Sequence, residues 1–123
     1  MSRRAGPLIA LPVVLSLTGC VGLDAPPAVA PVEVVAVDRA ERTCSVSRRS
    51  MTAGTHETFL LAERGPAEIR IVDPAGSVRF GAKVSPRSGS TNQVDYDAGT
   101  YRVRCLWPNG QSRSVELTVV PAE

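Results

Sequence analysis

Cys20, Cys44 and Cys105 carry the widest chemistry in this 123-residue sequence, because a thiol can be acylated, can pair with another thiol, or can hold a metal ion. Around them the reactive groups are sparse. A serine nucleophile needs a positioned base, and the single histidine, His56, lies between Thr55 and Glu57 in an apparent turn, so no catalytic triad can be drawn and His56 reads as an exposed loop residue. A blue-copper centre needs two histidines and a cysteine, a set this chain lacks. Asp95 and Asp97 could offer carboxylates to calcium, but without the dense oxygen-ligand spacing of a calcium loop they read as turn residues. The expectation is a protein that is not an enzyme.

The cysteine nearest the start follows the three parts of an export signal: Arg3 and Arg4, an apolar stretch from Leu8 to Leu17, and the small residues Thr18 and Gly19. A permanent span needs roughly 20 apolar residues; this run is about half that and contains Pro12. Leu17-Thr18-Gly19-Cys20 resembles the bacterial lipobox, in which a cysteine is diacylated on sulfur and the leader is cut ahead of it. The resemblance implies a signal peptide over residues 1–19, lipidation (palmitate among the acyl chains) at Cys20, and residence on the cell membrane or outer membrane outside the cytoplasm. At about 0.8 kcal/mol per buried methylene, two or three chains on one residue make a lasting anchor.

Removing the leader changes the rest of the reading. Cys44 and Cys105 remain, and two thiols in an exported domain are expected to form a disulfide. Arg3 and Arg4 also leave, so acidic and basic residues balance at twelve each and the net positive charge of the full sequence disappears. A neutral domain gives no reason to expect a nucleic-acid partner. Residues 20–31 are rich in proline and alanine and read as a tether; at about 3.1 Å per residue, ten such residues hold a domain some 30 Å from the lipid.

Residues 32–123 must then supply the folded domain. Their apolar residues recur with period two, the signature of strands. "VRFGAKV" places Val78, Phe80, Ala82 and Val84 on one face. "TYRVRCLW" turns Tyr101, Val103, Cys105 and Trp107 inward and Arg102 and Arg104 outward, and "SVELTV" buries Val115, Leu117 and Val119. Further strands are expected at 32–37, 43–46, 57–62 and 67–73, separated by turn clusters such as "TAGTH", "DPAGS", "SPRSGSTN" and "DAGT". About seven short strands in one domain imply an all-β Greek-key sandwich, in which Cys44 and Cys105 meet between the sheets.

Two sandwich families share features with this chain. "DAGTYRVRC" resembles the immunoglobulin-type corner, although the cysteine follows the tyrosine by four residues rather than two. Cys44, Ala53-Gly54 nine residues on, Phe59 to Leu61, Glu68, Pro86, Gly89, and Gly99-Thr100-Tyr101 leading to Cys105 resemble the cupredoxin-like domain of bacterial periplasmic iron-uptake proteins over about residues 32 to 120. That resemblance, the preferred one, implies a metal-handling module with Cys44, Glu68 and Cys105 at the ligand positions and copper or iron as the ion. The alternative is a disulfide-stapled, immunoglobulin-like structural or interaction domain that needs no cofactor and engages an envelope protein partner.

Overall fold

A computed structural model describes residues 30–122; the expected signal peptide, Cys20 and most of the expected tether lie outside them. The described chain is all-β, with nine strands: β1 (Val32–Val37), β2 (Thr43–Val46), β3 (Ser50–Thr52), β4 (Gly54–Glu63), β5 (Ala67–Val72), β6 (Val78–Val84), β7 (Ser90–Tyr96), β8 (Gly99–Leu106) and β9 (Ser112–Val120). They form a four-stranded sheet in the order β2-β1-β4-β7 and a five-stranded sheet in the order β3-β9-β8-β5-β6. Two parallel pairs, β1 with β4 and β3 with β9, stand among otherwise antiparallel neighbours.

The period-two pattern of the sequence is what fixes this arrangement. A strand covered on one face turns alternate side chains to the core, and Val32, Val34 and Ala36 of β1, Leu60 and Ala62 of β4, Ile69 and Ile71 of β5, and Tyr101, Val103 and Cys105 of β8 are all buried. Residues facing each other across the two sheets make one core cluster, with Val94 and Tyr96 from β7 and Leu117 and Val119 from β9. A one-residue slip of any strand would expose its whole buried set, so the pattern also specifies register.

Two strands exceed the expected seven because alternation does not mark them. β3 is three residues long, and β7 (STNQVDY) buries only Val94 and Tyr96. Partnering forms both: β3 runs beside β9, and β7 completes a ladder along β4 from Gly54 to Leu60. That ladder also draws "TAGTH" into strand, so β4 begins at Gly54 rather than near Glu57.

Val78 departs from its expected inward position for a local reason. The β5–β6 register shifts between Ile71 and Val72, where Phe80 pairs with Ile71 but Val78 pairs with Val72. A bulge of this kind inserts a residue and reverses parity beyond it. Val78 is accordingly 54% exposed on the outer face.

The sandwich has two distinguishable poles. β1 enters at Val32, opposite Thr58, and ends at Val37, with Ala36 beside Cys44. The disulfide therefore sits at the pole remote from the tether. At the tether pole, Arg79 joins the sheets: its Nε lies 3.1 Å from the Asp73 carboxylate in the β5–β6 turn, and its Nη2 lies 3.0 Å from Asp97 after β7. Gly99 fits the same corner only as glycine, since its φ is +147° and a Cβ there would meet Pro74 Cγ at 2.6 Å.

The Asp73 carboxylate accepts backbone N–H bonds from Ser77 (2.8 Å) and Ala75 (3.0 Å). These bonds, Ser77 foremost, together with Arg79 hold its pKa below the usual aspartate range against the opposing effect of desolvation. A depressed folded-state pKa gives stability that is present above the ordinary aspartate value and lost as pH falls through the lowered one. Thermal melts of wild type and Asp73→Ala from neutral pH to about pH 2 should converge at the acid end, with the wild type more stable above the aspartate range. A constant gap at every pH would remove Asp73 from the acid response.

Candidate functional site

The structure brings Cys44 and Cys105 together as a disulfide, with Cα atoms 5.7 Å apart and a sequence separation of 61. Cys44 reaches inward from the edge strand β2 of one sheet, and Cys105 from β8 in the interior of the other. Cys105 is fully buried. Strand parity delivers both thiols, as the inward set Tyr101, Val103 and Cys105 implies.

Glu68 does not join them. On β5 it pairs with Leu106 and Lys83, one residue out of phase with Ile69, the inward neighbour of Cys105. Its carboxylate projects from the outer face and meets Arg70 Nε at 3.1 Å. Two sulfurs joined to each other offer no thiolate, and the carboxylate stands on the opposite face of the sheet, so Cys44, Glu68 and Cys105 do not make a copper or iron site in this arrangement. Among the described residues no group of three His, Cys, Asp or Glu side chains is placed to hold a metal ion.

His56 differs from its expected exposed position. The inward parity of β4 places it with Thr58, Leu60 and Ala62, and it is buried. Its ring nitrogens lie 2.8 Å from the Thr52 carbonyl and 3.1 Å from the Ala30 carbonyl, bringing the segment before β1 to the end of β3. The ring also meets Tyr96 edge to face at 5.7 Å, and Tyr96 meets Tyr101 in the same way at 5.3 Å. Burial pushes the Tyr96 phenol pKa up, and its oxygen is shared with Thr58 Oγ1 at 2.9 Å. These groups pack as an internal network, in which a neutral imidazole can donate to only one of the two carbonyls, with no substrate-accessible nucleophile among them.

Asp95 and Asp97 are divided between roles. Asp95 receives a hydrogen bond from Thr55. Asp97 pairs with Arg79, and its carbonyl accepts the Tyr101 hydroxyl at 3.0 Å, making the corner that "DAGTY" suggests.

At the pole remote from the tether, next to the disulfide-bearing end of β8, an open cleft of about 410 Å3 is lined by Pro66, Glu68, Lys83, Leu106, Trp107 and Pro108 among others. Trp107 is buried and its indole N–H meets no acceptor among the described residues. A buried donor left unanswered costs about 1–3 kcal/mol. Sequence parity placed Trp107 inward but carried no sign of this.

The described domain is thus a small, disulfide-linked β-sandwich. No protein-family model matches the chain, and no curated protein matches it. Among the described residues no helix is long and apolar enough to cross a membrane.

Proposed function

We propose that this protein is a bacterial lipoprotein, held in the cell membrane or outer membrane by lipid on Cys20, whose β-sandwich is a non-catalytic binding module for an envelope partner. The anchor rests on the sequence Leu17-Thr18-Gly19-Cys20 after its basic and apolar leader. The observation that carries the binding role is the cleft beside Trp107, which offers apolar surface at the pole that the tether leaves facing away from the membrane. An intact mass spectrum of protein extracted from membranes tests the reading: it should show acyl mass on Cys20 and the loss of two hydrogens for the disulfide. Unmodified Cys20 would overturn the anchor.

The disulfide favours a module without metal, and this has its own test. Copper, iron and zinc titrated into oxidised and reduced protein should leave the melting temperature unchanged, since a ligand that binds only the native state would raise it by mass action. A rise confined to the reduced protein and lost in Glu68→Ala would restore the metal-handling reading.

A further inference from the structure

The outer face of the five-stranded sheet gathers positive charge in a way that the fold itself does not require. Arg70 on β5 stands directly opposite Arg104 on β8, and Arg102, two residues away, stands opposite Val72. Directly opposed like charges destabilise a sheet. These three arginines, with Val72, Val78 and Ser114, line a cleft of about 450 Å3 whose wall contains no carboxylate.

The surrounding charges do not cancel it. Glu68 engages Arg70 at the margin, in a pair half-buried on both sides, and Glu116 lies opposite Arg102 in register without forming an ion pair with it. Arg79 is already occupied by Asp73 and Asp97. Arg102 and Arg104 have no carboxylate partner among the described residues, so their guanidinium donors remain available to an external anion. Two features shape the cleft. Gly81 stands beside Arg70 on β6, and a Cβ there would meet Arg70 Cγ at 3.5 Å and Val78 Cγ1 at 3.3 Å. The β5–β6 bulge turns Val78 outward to form an apolar rim.

We propose that this arginine cleft binds the phosphate of an anionic lipid headgroup, holding the end of the five-stranded sheet nearest the chain entry at the membrane to which the protein is tethered. A planar guanidinium can give two parallel hydrogen bonds to a phosphate, and three around one cleft can surround it. Position selects a lipid over a soluble anion. The cleft extends to Val72 and Gly76, at the same pole as the chain entry at Val32 and the tether-bound His56. The exposed Val78 at the rim faces outward, where it can rest against the interface. The membrane source rests on the lipoprotein reading; the anion-binding chemistry of the cleft does not.

The test uses residues 20–123 carrying Cys20→Ser, so that no acyl chain contributes. Flotation with phosphatidylcholine vesicles, with and without phosphatidylglycerol, should show binding only to the anionic vesicles, weakening as salt shortens the reach of the charges. Arg102→Ala with Arg104→Ala should reduce partitioning on the order of thirtyfold, at about 1 kcal/mol for each arginine near an anionic surface. Ser114→Glu, which adds a carboxylate without removing a guanidinium, should reduce it as well. Both variants should stay folded and melt at or above the wild-type temperature, because their side chains face out, loss of Arg104 relieves its opposition to Arg70, and Ser114→Glu sets a carboxylate opposite Arg104. Equal partitioning of wild type and both folded variants overturns the proposal. So does saturable binding of inorganic phosphate that the anionic vesicles do not displace, which would assign the cleft to a soluble anion. Flotation does not use Cys20, so an unmodified Cys20 in the mass spectrum would remove the anchor and leave this result standing.

Discussion

Cys44→Ala combined with Cys105→Ala should destabilise the domain by about 2–5 kcal/mol, the usual cost of losing a native disulfide from a small exported domain. The closed loop explains the size of the effect. With the cysteines 61 positions apart in sequence, chain entropy alone gives a value of about 4 kcal/mol, which native strain and residual structure in the unfolded chain reduce. The bond joins edge strand β2 to the interior of the opposite sheet, so it also holds a strand whose only sheet neighbour is β1. Since a domain of this size is typically stable by about 5–15 kcal/mol, a large share of the total is at stake. At about 4–8 °C per kcal/mol for a domain of 60–100 residues, the melting temperature should fall by about 8 °C or more. The double substitution is the informative one, because a single change leaves a buried unpaired thiol. Reductant should lower the wild-type melting temperature toward that of the variant and leave the variant unmoved. Under denaturing conditions without reductant, Cys44 and Cys105 should offer no alkylatable thiol. A double variant as stable as wild type, or two free thiols in protein isolated without reductant, would deny the bond its structural role.

Much of this architecture is legible in residue types because burial on one face of a strand writes itself as alternation. Tyr101, Val103 and Cys105 point inward as their spacing requires, and their polar neighbours Arg102 and Arg104 point outward. The same parity delivers Cys44 and Cys105 to each other and separates Glu68 from both. That separation is written in the alternation of Ala67, Ile69 and Ile71 with Glu68 and Arg70, whereas the cross-strand neighbours of Glu68 come from a register no local pattern contains. β7 was hidden for a similar reason: "STNQVDY" is polar enough to resemble a loop, and its strand geometry comes from the β4 ladder. His56 follows the parity of β4, but Gly54 and the neighbouring turn residues disguise where that strand starts. The arginine cleft was only half visible. Arg102 and Arg104 share a strand face, but Arg70 and Val78 reach them through cross-strand register and a bulge.

Cys20→Ser should abolish stable membrane attachment, and it is the largest functional effect expected. Attachment by the lipobox route requires a sulfur nucleophile to form the thioether, and a serine hydroxyl cannot take its place. Without that modification the leader should remain uncut, or a leaderless chain should appear in the soluble fraction. The loss is nearly complete because partitioning depends on acyl length: at about 0.8 kcal/mol per buried methylene, the chains of one modified cysteine outweigh any contribution from surface charge. Fractionation must still allow for the arginine face, since Arg70, Arg102 and Arg104 could hold non-acylated protein loosely on anionic lipid. Salt separates the two modes. Wild-type protein should stay with membranes through a wash at about 1 M salt, where the screening length is near 3 Å, whereas non-acylated chain held by charge should be released. If Cys20→Ser yields a protein of processed size that resists the wash, Cys20 is not the anchor. If it yields processed protein that salt releases, the covalent anchor and the arginine cleft both act at the membrane, the first providing permanence and the second orientation.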